Sequence, residues 1–186
     1  IPERHRLRGR ARFVGPTSLK VDDVTVEAGA VVIATGSSPV IPEMFRPVQD
    51  LLVVNDDVFA WESLPGSVAV FGAGVIGLEL GQALHRLGVR VRVFGRHGTV
   101  GPLSDPEVRA AAERIFMAEF PLLTHAHVDS VRREGAQAVI DFKDADGTTK
   151  SEKFDVVLVA AGRKPNLDSL GLETTGLSRD ERGIPL

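Results

Sequence analysis

The chain has 186 residues, 43% hydrophobic and 25% charged, which is enough apolar content for one domain with a buried core and part of another. Its net charge of −3 gives no general attraction to nucleic acid or to an anionic membrane, and no apolar run approaches the ~20 residues of a membrane span. Cysteine is absent, so a disulfide framework, a thiolate zinc site, a thiol nucleophile and a redox dithiol are excluded from these residues.

No signal-peptide pattern opens the sequence, and a cytoplasmic setting is the default expectation. Residues 1–12 are basic and follow neither a helical nor a strand period. Residues 13–14, 18–21 and 24–26 read as short strands turned at Gly15-Pro16 and Asp22-Asp23. The apolar run 30–34 is expected as a strand buried on both faces. Pro39, Pro42 and Pro47 mark an irregular connection. A short helix is expected over 56–63, and Leu64-Pro65-Gly66 is the expected domain boundary.

Beyond Gly66 the alternation is regular. Residues 67–71 read as a buried strand. Residues 75–87 read as a helix with Ile76, Leu80, Ala83, Leu84 and Leu87 inward, stopped by Gly88. Residues 89–94 form the next strand. Asp105 is placed to cap a helix with Pro106 at its first position, Glu107 near its positive end, and Val108, Ala111, Ala112 and Ile115 inward. Residues 122–125 read as a third strand. Residues 128–132, 137–142 and 149–154 read as an antiparallel meander turned at Gly135 and Gly147, and 156–160 as the last buried strand. This order predicts an α/β, Rossmann-like fold, with a parallel sheet carrying helices on one face and a β-meander on the other.

The chemistry concentrates in VAVFGAGVIGLELG, residues 68–81, where Gly72, Gly74 and Gly77 form G-x-G-x-x-G between a buried strand and an amphipathic helix. Gly72 suits the tight turn, Gly74 a close approach of backbone to a pyrophosphate, and Gly77 close packing of helix on strand. With Ala73, Val75 and Ile76, these residues make a candidate dinucleotide-binding loop at a helix N-terminus. The carboxylate that usually holds the ribose of NAD is expected about 20 residues on. There the strand ends at Phe94-Gly95, followed by Arg96 and His97. Two readings stay open: a 2′-phosphate site for NADP(H), or a solvated basic loop with NAD held by other contacts. His125 and His127 alternate like a metal pair but have no carboxylate cluster near them, so no metal is expected. His85 reads as a surface residue and Glu79 as a helix-dipole residue.

Two more segments, VVIATGSSP (31–39) and VVLVAAGRKPN (156–166), share a buried run, small residues, a glycine and a proline. ATGSSP, GAGVIGLELG and AAGRKPN in this order resemble the flavin-dependent pyridine nucleotide-disulfide oxidoreductases, dihydrolipoamide dehydrogenase (dihydrolipoyl dehydrogenase) most closely and glutathione reductase as a relative. The resemblance implies an internal piece of a longer flavoprotein. Residues 1–42 would belong to its FAD domain, 43–66 would be a connection, 67–165 the NAD(P)-binding domain, and 166–186 the return to the FAD domain.

The parent would be a homodimer passing hydride between nicotinamide and FAD and acting on a disulfide such as lipoamide; the piece itself would be inactive. NAD(P)(H) would lie along Gly72 to Glu79, with Glu79 near the nicotinamide end and Val128 and Gly162 making backbone contacts. Thr35, Gly36, Ser37 and Ala11 would face the flavin nucleotide. Gly95 stands where NAD-using members carry an acid, and Arg96-His97 resembles the pair of NADP-using members. A second arginine of that phosphate site would fall near Pro102. A glutathione, mercuric or transhydrogenase-type relative, and a nucleotide-sensing module without flavin, are the alternatives; a methyltransferase would want an acid at residue 95.

Overall fold

The computed structural model describes residues 2–181 and 183–186. In chain order the strands are β1 (Ala11–Phe13), β2 (Ser18–Val21), β3 (Val24–Glu27), β4 (Ser37–Pro39), β5 (Leu52–Val53), β6 (Ser67–Phe71), β7 (Arg90–Phe94), β8 (Leu122–Leu123), β9 (His127–Glu134), β10 (Gln137–Lys143), β11 (Thr149–Phe154), β12 (Val156–Val159) and β13 (Arg163–Pro165). The α-helices are α1 (Asn55–Val58), α2 (Val75–Arg86) and α3 (Pro106–Glu119). No helix among the described residues is long and apolar enough to cross a membrane. The chain divides into two compact units, Ile1–Ser38 with Arg163–Leu186, and Pro39–Gly162.

In the smaller unit, β1, β2 and β3 form an antiparallel sheet. Phe13 is buried with Leu170 and Leu172, and Val31 and Ile33 pack against this cluster. The strand expected over 30–34 does not form. Val32 is 88% exposed and no ladder includes these residues. An apolar run becomes a two-faced strand only with partners along its edges and cover on both faces. Here one face alone is covered. The two look-alike segments are joined to each other instead, through β4 and β13.

The larger unit is built on a parallel sheet in the order β5-β12-β6-β7-β8. All five residues of β6 are buried, and their alternation divides the core. Val68 and Val70 join Leu78, Leu84, Val91 and Val93 on the helix side. Ala69 and Phe71 join Phe94, Ile140, Phe142 and Phe154 on the meander side. The meander pairs β9-β10-β11 as expected, so helices and meander do cover opposite faces. Residues 43–66 are not a bare link. A 3-10 segment, Glu43–Leu51, breaks at Val48 and sends Phe45 and Val48 into the meander-side core, and β5 joins the sheet. The helix expected over 56–63 shortens to α1.

Both main helices are rotated relative to their apolar stripes. Leu84 is buried and Leu80 packs against the same core as expected, but the rest of the buried face of α2 is Gly77, Leu78 and Gly81, and Leu87 is 64% exposed. Glycine lets the backbone approach most closely: a Cβ on Gly81 would lie 3.0 Å from Val93 Cγ2. The glycine face therefore turns to the sheet rather than the most hydrophobic one. On α3, Asp105 Oδ1 accepts from the N–H groups of Glu107 and Val108, as the cap predicts. Ala112 packs inward as expected, but Phe116 joins it while Val108 and Ile115 are exposed. Glu113 is drawn in by the hydroxyl of buried Thr124, which donates to its carboxylate.

Asp155 ties the meander to the sheet. Its carboxylate accepts from Gln137 Nε2 at 2.8 Å and from Ser67 Oγ at 2.9 Å, and its N–H donates back to Ser67 Oγ at 3.0 Å. These donors, Gln137 first, hold its carboxyl below the usual carboxylate range, against the opposing effect of burial. Ser67 is buried, so Asp155→Ala leaves its hydroxyl without an acceptor and is expected to cost about 1–3 kcal/mol. A carboxyl lowered in the folded state stabilises above its unfolded pKa, and that contribution is lost as the pH falls through the folded value. Urea unfolding of wild type and variant should therefore differ most at pH 7, with the difference narrowing as the pH drops below about 3.8. A pH-independent difference would refute the assignment.

Candidate functional site

The C-terminal edge of the parallel sheet is where ligands bind in doubly wound folds. Here β6 runs into a turn at Gly72, whose N–H donates to Phe94 O at 2.8 Å. Gly72 has φ +121°, a conformation that side chains oppose, and a Cβ there would lie 2.3 Å from Ala160 O. Gly77 closes over the same turn: a Cβ on it would lie 1.9 Å from Gly72 O. Two of the roles read from the fingerprint, the turn at Gly72 and close packing at Gly77, are thus visible as contacts. Gly74 is different. Its φ is −75° and open space lies where its Cβ would point, so nothing in the chain requires glycine there.

Gly74 caps α2 without a side chain. Among the described residues the N–H groups of Val75, Ile76 and Gly77 meet no acceptor, whereas α3 is capped by Asp105. Four N–H groups at a helix start lack helical partners and carry partial positive charge, so an uncapped start is open to an anion.

The opposite wall is the loop after β7. Gly95 N–H donates to Leu123 O at 2.6 Å and its carbonyl accepts from Ala126 at 2.8 Å. Gly98 N–H donates to Thr124 O at 3.0 Å. The loop turns through two successive left-handed residues, His97 at φ +59° and Gly98 at φ +66°. A non-glycine residue held there is uncommon, and such strain gathers at functional sites. Arg96 and His97 are exposed and make no ion pair among the described residues. Between the walls lies a cleft of about 500 Å³. Its floor is aromatic, with Phe45 edge-on to Phe71 at 4.6 Å and Phe71 stacked on Phe94 at 4.8 Å. Among the described residues no Asp or Glu lines it.

The cleft gathers Gly72, Ala73, Gly74, Arg96, His97 and Gly162 of the expected residues. Val75, Ile76 and Gly77 form the first turn of α2 behind them, and Gly95 is buried beneath. Glu79 does not line the cleft; it is exposed along a shallower groove with Val75, Val100 and Phe116. Val128 packs against the meander-side core instead. Thr35, Gly36, Ser37 and Ala11 lie in the smaller unit. There Asn166 Nδ2 donates to Thr35 O, Asn166 N–H to Gly36 O, and Arg163 to both the hydroxyl and the carbonyl of Ser37. Ala11 is exposed on β1. Among the described residues no group of His, Asp or Glu is placed to hold a metal.

Sequence reasoning missed Met44 and Phe45, which line the cleft from a segment read as a link. It also passed over Phe71 and Phe94. Both end buried strands on the ligand-binding edge, and that position was the available signal.

The profile of the pyridine nucleotide-disulphide oxidoreductases matches residues 4–185. The chain belongs to this family. It is 33% identical over 181 residues to a dihydrolipoyl dehydrogenase of Thermus scotoductus, covering 96% of this chain and 39% of that protein. It is 30% identical over 178 residues to a mercuric reductase of Staphylococcus aureus, covering 95% and 32%. Its fold is that of the HOCl-induced flavoprotein disulfide reductase of Escherichia coli, with a TM-score of 0.77 at 23% identity over 96% of this chain and 40% of that one. The chain thus spans less than half the length of these relatives. The family is one of oxidoreductases that use flavin and nicotinamide dinucleotides.

Proposed function

We propose that residues 39–162 form the NAD(P)(H)-binding domain of a flavin-dependent disulfide oxidoreductase similar to dihydrolipoyl dehydrogenase, and that the cleft prefers NADP(H). One observation carries the reading. An uncapped helix start and an unpaired Arg96-His97 pair face one cleft that contains no carboxylate. The cleft volume suits a cofactor site.

The N–H groups of Val75, Ile76 and Gly77 would hold the pyrophosphate, with Gly74 leaving the approach open. Arg96 and His97 would take the 2′-phosphate, the guanidinium through paired hydrogen bonds. Gly95 and Ala73 would shape that end, and Gly162 would contribute backbone. Glu79 and Val128, outside the cleft wall, belong to the proposal as residues of its nicotinamide end. Thr35, Gly36, Ser37 and Ala11 would face FAD by family likeness. When bound, the two cofactors supply hydride exchange; the chain supplies position and charge.

A homodimeric parent, a disulfide substrate such as lipoamide and a cytoplasmic setting are part of the same proposal. The chain holds no cysteine, so alone it is proposed to be inactive toward dihydrolipoamide. The similarity to a mercuric reductase favours a second reading, in which the same domain serves another reductase of the family.

Titration calorimetry with NADPH and NADH, at low and high salt, tests the site. NADPH is expected to bind more tightly. Arg96→Ala is expected to weaken it by roughly 10- to 100-fold, the size of a charge-assisted contact, and to leave NADH unaffected. Equal affinities in the wild type would overturn the phosphate assignment, and absence of binding by either nucleotide would overturn the site.

A further inference from the structure

The outer strand of the meander has a free edge. Gly135 and Ala136 form a two-residue turn, so Glu134 and Gln137, which flank it, exchange backbone hydrogen bonds. Backbone direction alternates along a strand, so Ala138 and Ile140 turn to β11 and meet Phe154 and Glu152 there. Thr149, Ser151 and Lys153 therefore point their N–H and C=O groups away from β10. β11 is an outer strand in the order β11-β10-β9, and these three residues are exposed. Among the described residues Ser151 and Lys153 make no backbone–backbone bond outside the ladder. The Lys153 carbonyl is taken by a side chain instead, since Arg90 Nη2 donates to it. Arg90 is placed there by Phe154, whose ring centroid lies 4.6 Å from the guanidinium carbon, and by Glu152 at 3.6 Å. None of these residues lines the cleft.

A free strand edge is a template for another strand. Charge decides which strand fits. A second β11 laid antiparallel with Ser151 on Ser151 puts Thr149 on Lys153 and Lys150 on Glu152, opposite charges on both sides of a twofold axis. Arg92 Nη2 fixes that glutamate carboxylate at 2.7 Å. The neighbouring registers that keep the outward residues face to face set Lys150 on Lys150 or Glu152 on Glu152, which repel. The far edge of the meander is covered: β9 lies against the Glu43–Leu51 segment, and Arg133 pairs with Asp50 there. Pairing through β11 thus closes at two copies.

We propose that the outer edge of β11 is an interface for a second copy of this chain, antiparallel about Ser151. Arg90 masks it by holding the Lys153 carbonyl, which the N–H of Thr149 in the second copy would otherwise take.

The chain has no cysteine, so single cysteines report the register. Ser151→Cys and Thr149→Cys, each with and without Arg90→Met, are treated with dibromobimane, a short thiol-to-thiol cross-linker. Arg90→Met keeps an apolar stem over Phe154 and removes the donors. With it, Ser151→Cys is expected to cross-link at least tenfold faster than Thr149→Cys. Directly paired residues lie about 5.5 Å apart, whereas Thr149 would be about 14 Å from its copy. Restoring Arg90 is expected to slow Ser151→Cys at least fivefold. Equal rates at the two positions would overturn the interface, and a rate indifferent to Arg90 would overturn the masking.

Sedimentation velocity gives an independent reading. Arg90→Met is expected to form a dimer that Ser151→Pro, which removes an outward N–H, returns to monomer. A dimer that survives Ser151→Pro, growth beyond two copies, or a folded Arg90→Met that stays monomeric would overturn the proposal. If circular dichroism shows Arg90→Met unfolded, the Ser151→Cys against Thr149→Cys comparison with Arg90 present decides, and the same ranking is expected.

Discussion

Gly72→Ala is expected to destabilise the protein strongly and to abolish nucleotide binding. Two penalties combine. A side chain at φ +121° carries backbone strain of roughly 1–3 kcal/mol. The new Cβ also meets a backbone carbonyl, Ala160 O at 2.3 Å, which cannot rotate away as a side chain would. Overpacking of this kind adds roughly 1–3 kcal/mol. Together these take a large part of the ~5–15 kcal/mol that holds a typical domain folded. Gly135→Ala supplies the comparison, since Gly135 also has positive φ, +60°, but nothing lies within 4 Å of its Cβ position. That variant is expected to lose only the strain. Urea unfolding of both, with NADPH titration, checks the claim, and a Gly72→Ala no less stable than Gly135→Ala would refute it.

Phe94→Ala is expected to cost about 3–5 kcal/mol, the range for removing a buried aromatic ring. Phe94 is 3% exposed and central to its cluster. It stacks on Phe71 at 4.8 Å and meets Phe142 and Phe154 edge-on at 5.1 and 6.4 Å. Its loss opens a cavity between sheet and meander and removes part of the cleft floor, so cofactor affinity is expected to fall as well. Phe94→Leu keeps most of the volume and is expected to recover most of the stability. Phe59, 79% exposed, gives the contrast: Phe59→Ala should stay within about 0.5 kcal/mol of wild type. Thermal or urea unfolding that ranked Phe59→Ala with Phe94→Ala would sink this account of the core.

What the sequence disclosed depended on whether a local pattern had one physical cause. The unit β6–α2–β7 was legible because a fully apolar run, a glycine-marked turn and a helical period followed one another, and each constrains the next. The meander was legible because its turns carry Gly135 and Gly147 between β-rich runs. The cap of α3 was legible down to the residue.

The rotations of α2 and α3 were not, because periodicity counts apolar side chains whereas packing is decided by how near the backbone can come. Gly77 and Gly81 are silent in the first measure and decisive in the second. Residues 30–34 failed for a related reason: an apolar run does not say whether both its faces find cover. Within the site, the loop glycines and Arg96-His97 were read from spacing. Met44 and Phe45 carried no signal, since a proline-broken segment gives no period from which to infer burial.

The bond between Val40 N–H and Gly162 O, 3.0 Å long, has a bearing on the order of assembly. The smaller unit is discontinuous: β1 to β3 lie before the 39–162 segment, and their partners Leu170 and Leu172 lie after it. Bringing such distant halves together from an open chain carries the entropy cost of closing a long loop. The 39–162 segment is continuous and has its own core, so it can condense without either half. Once it has done so, its two ends are one hydrogen bond apart, and the distance between the halves along the chain no longer matters. Folding of the larger unit thus shortens the loop that the smaller one must close, and damage to the aromatic core is expected to slow both.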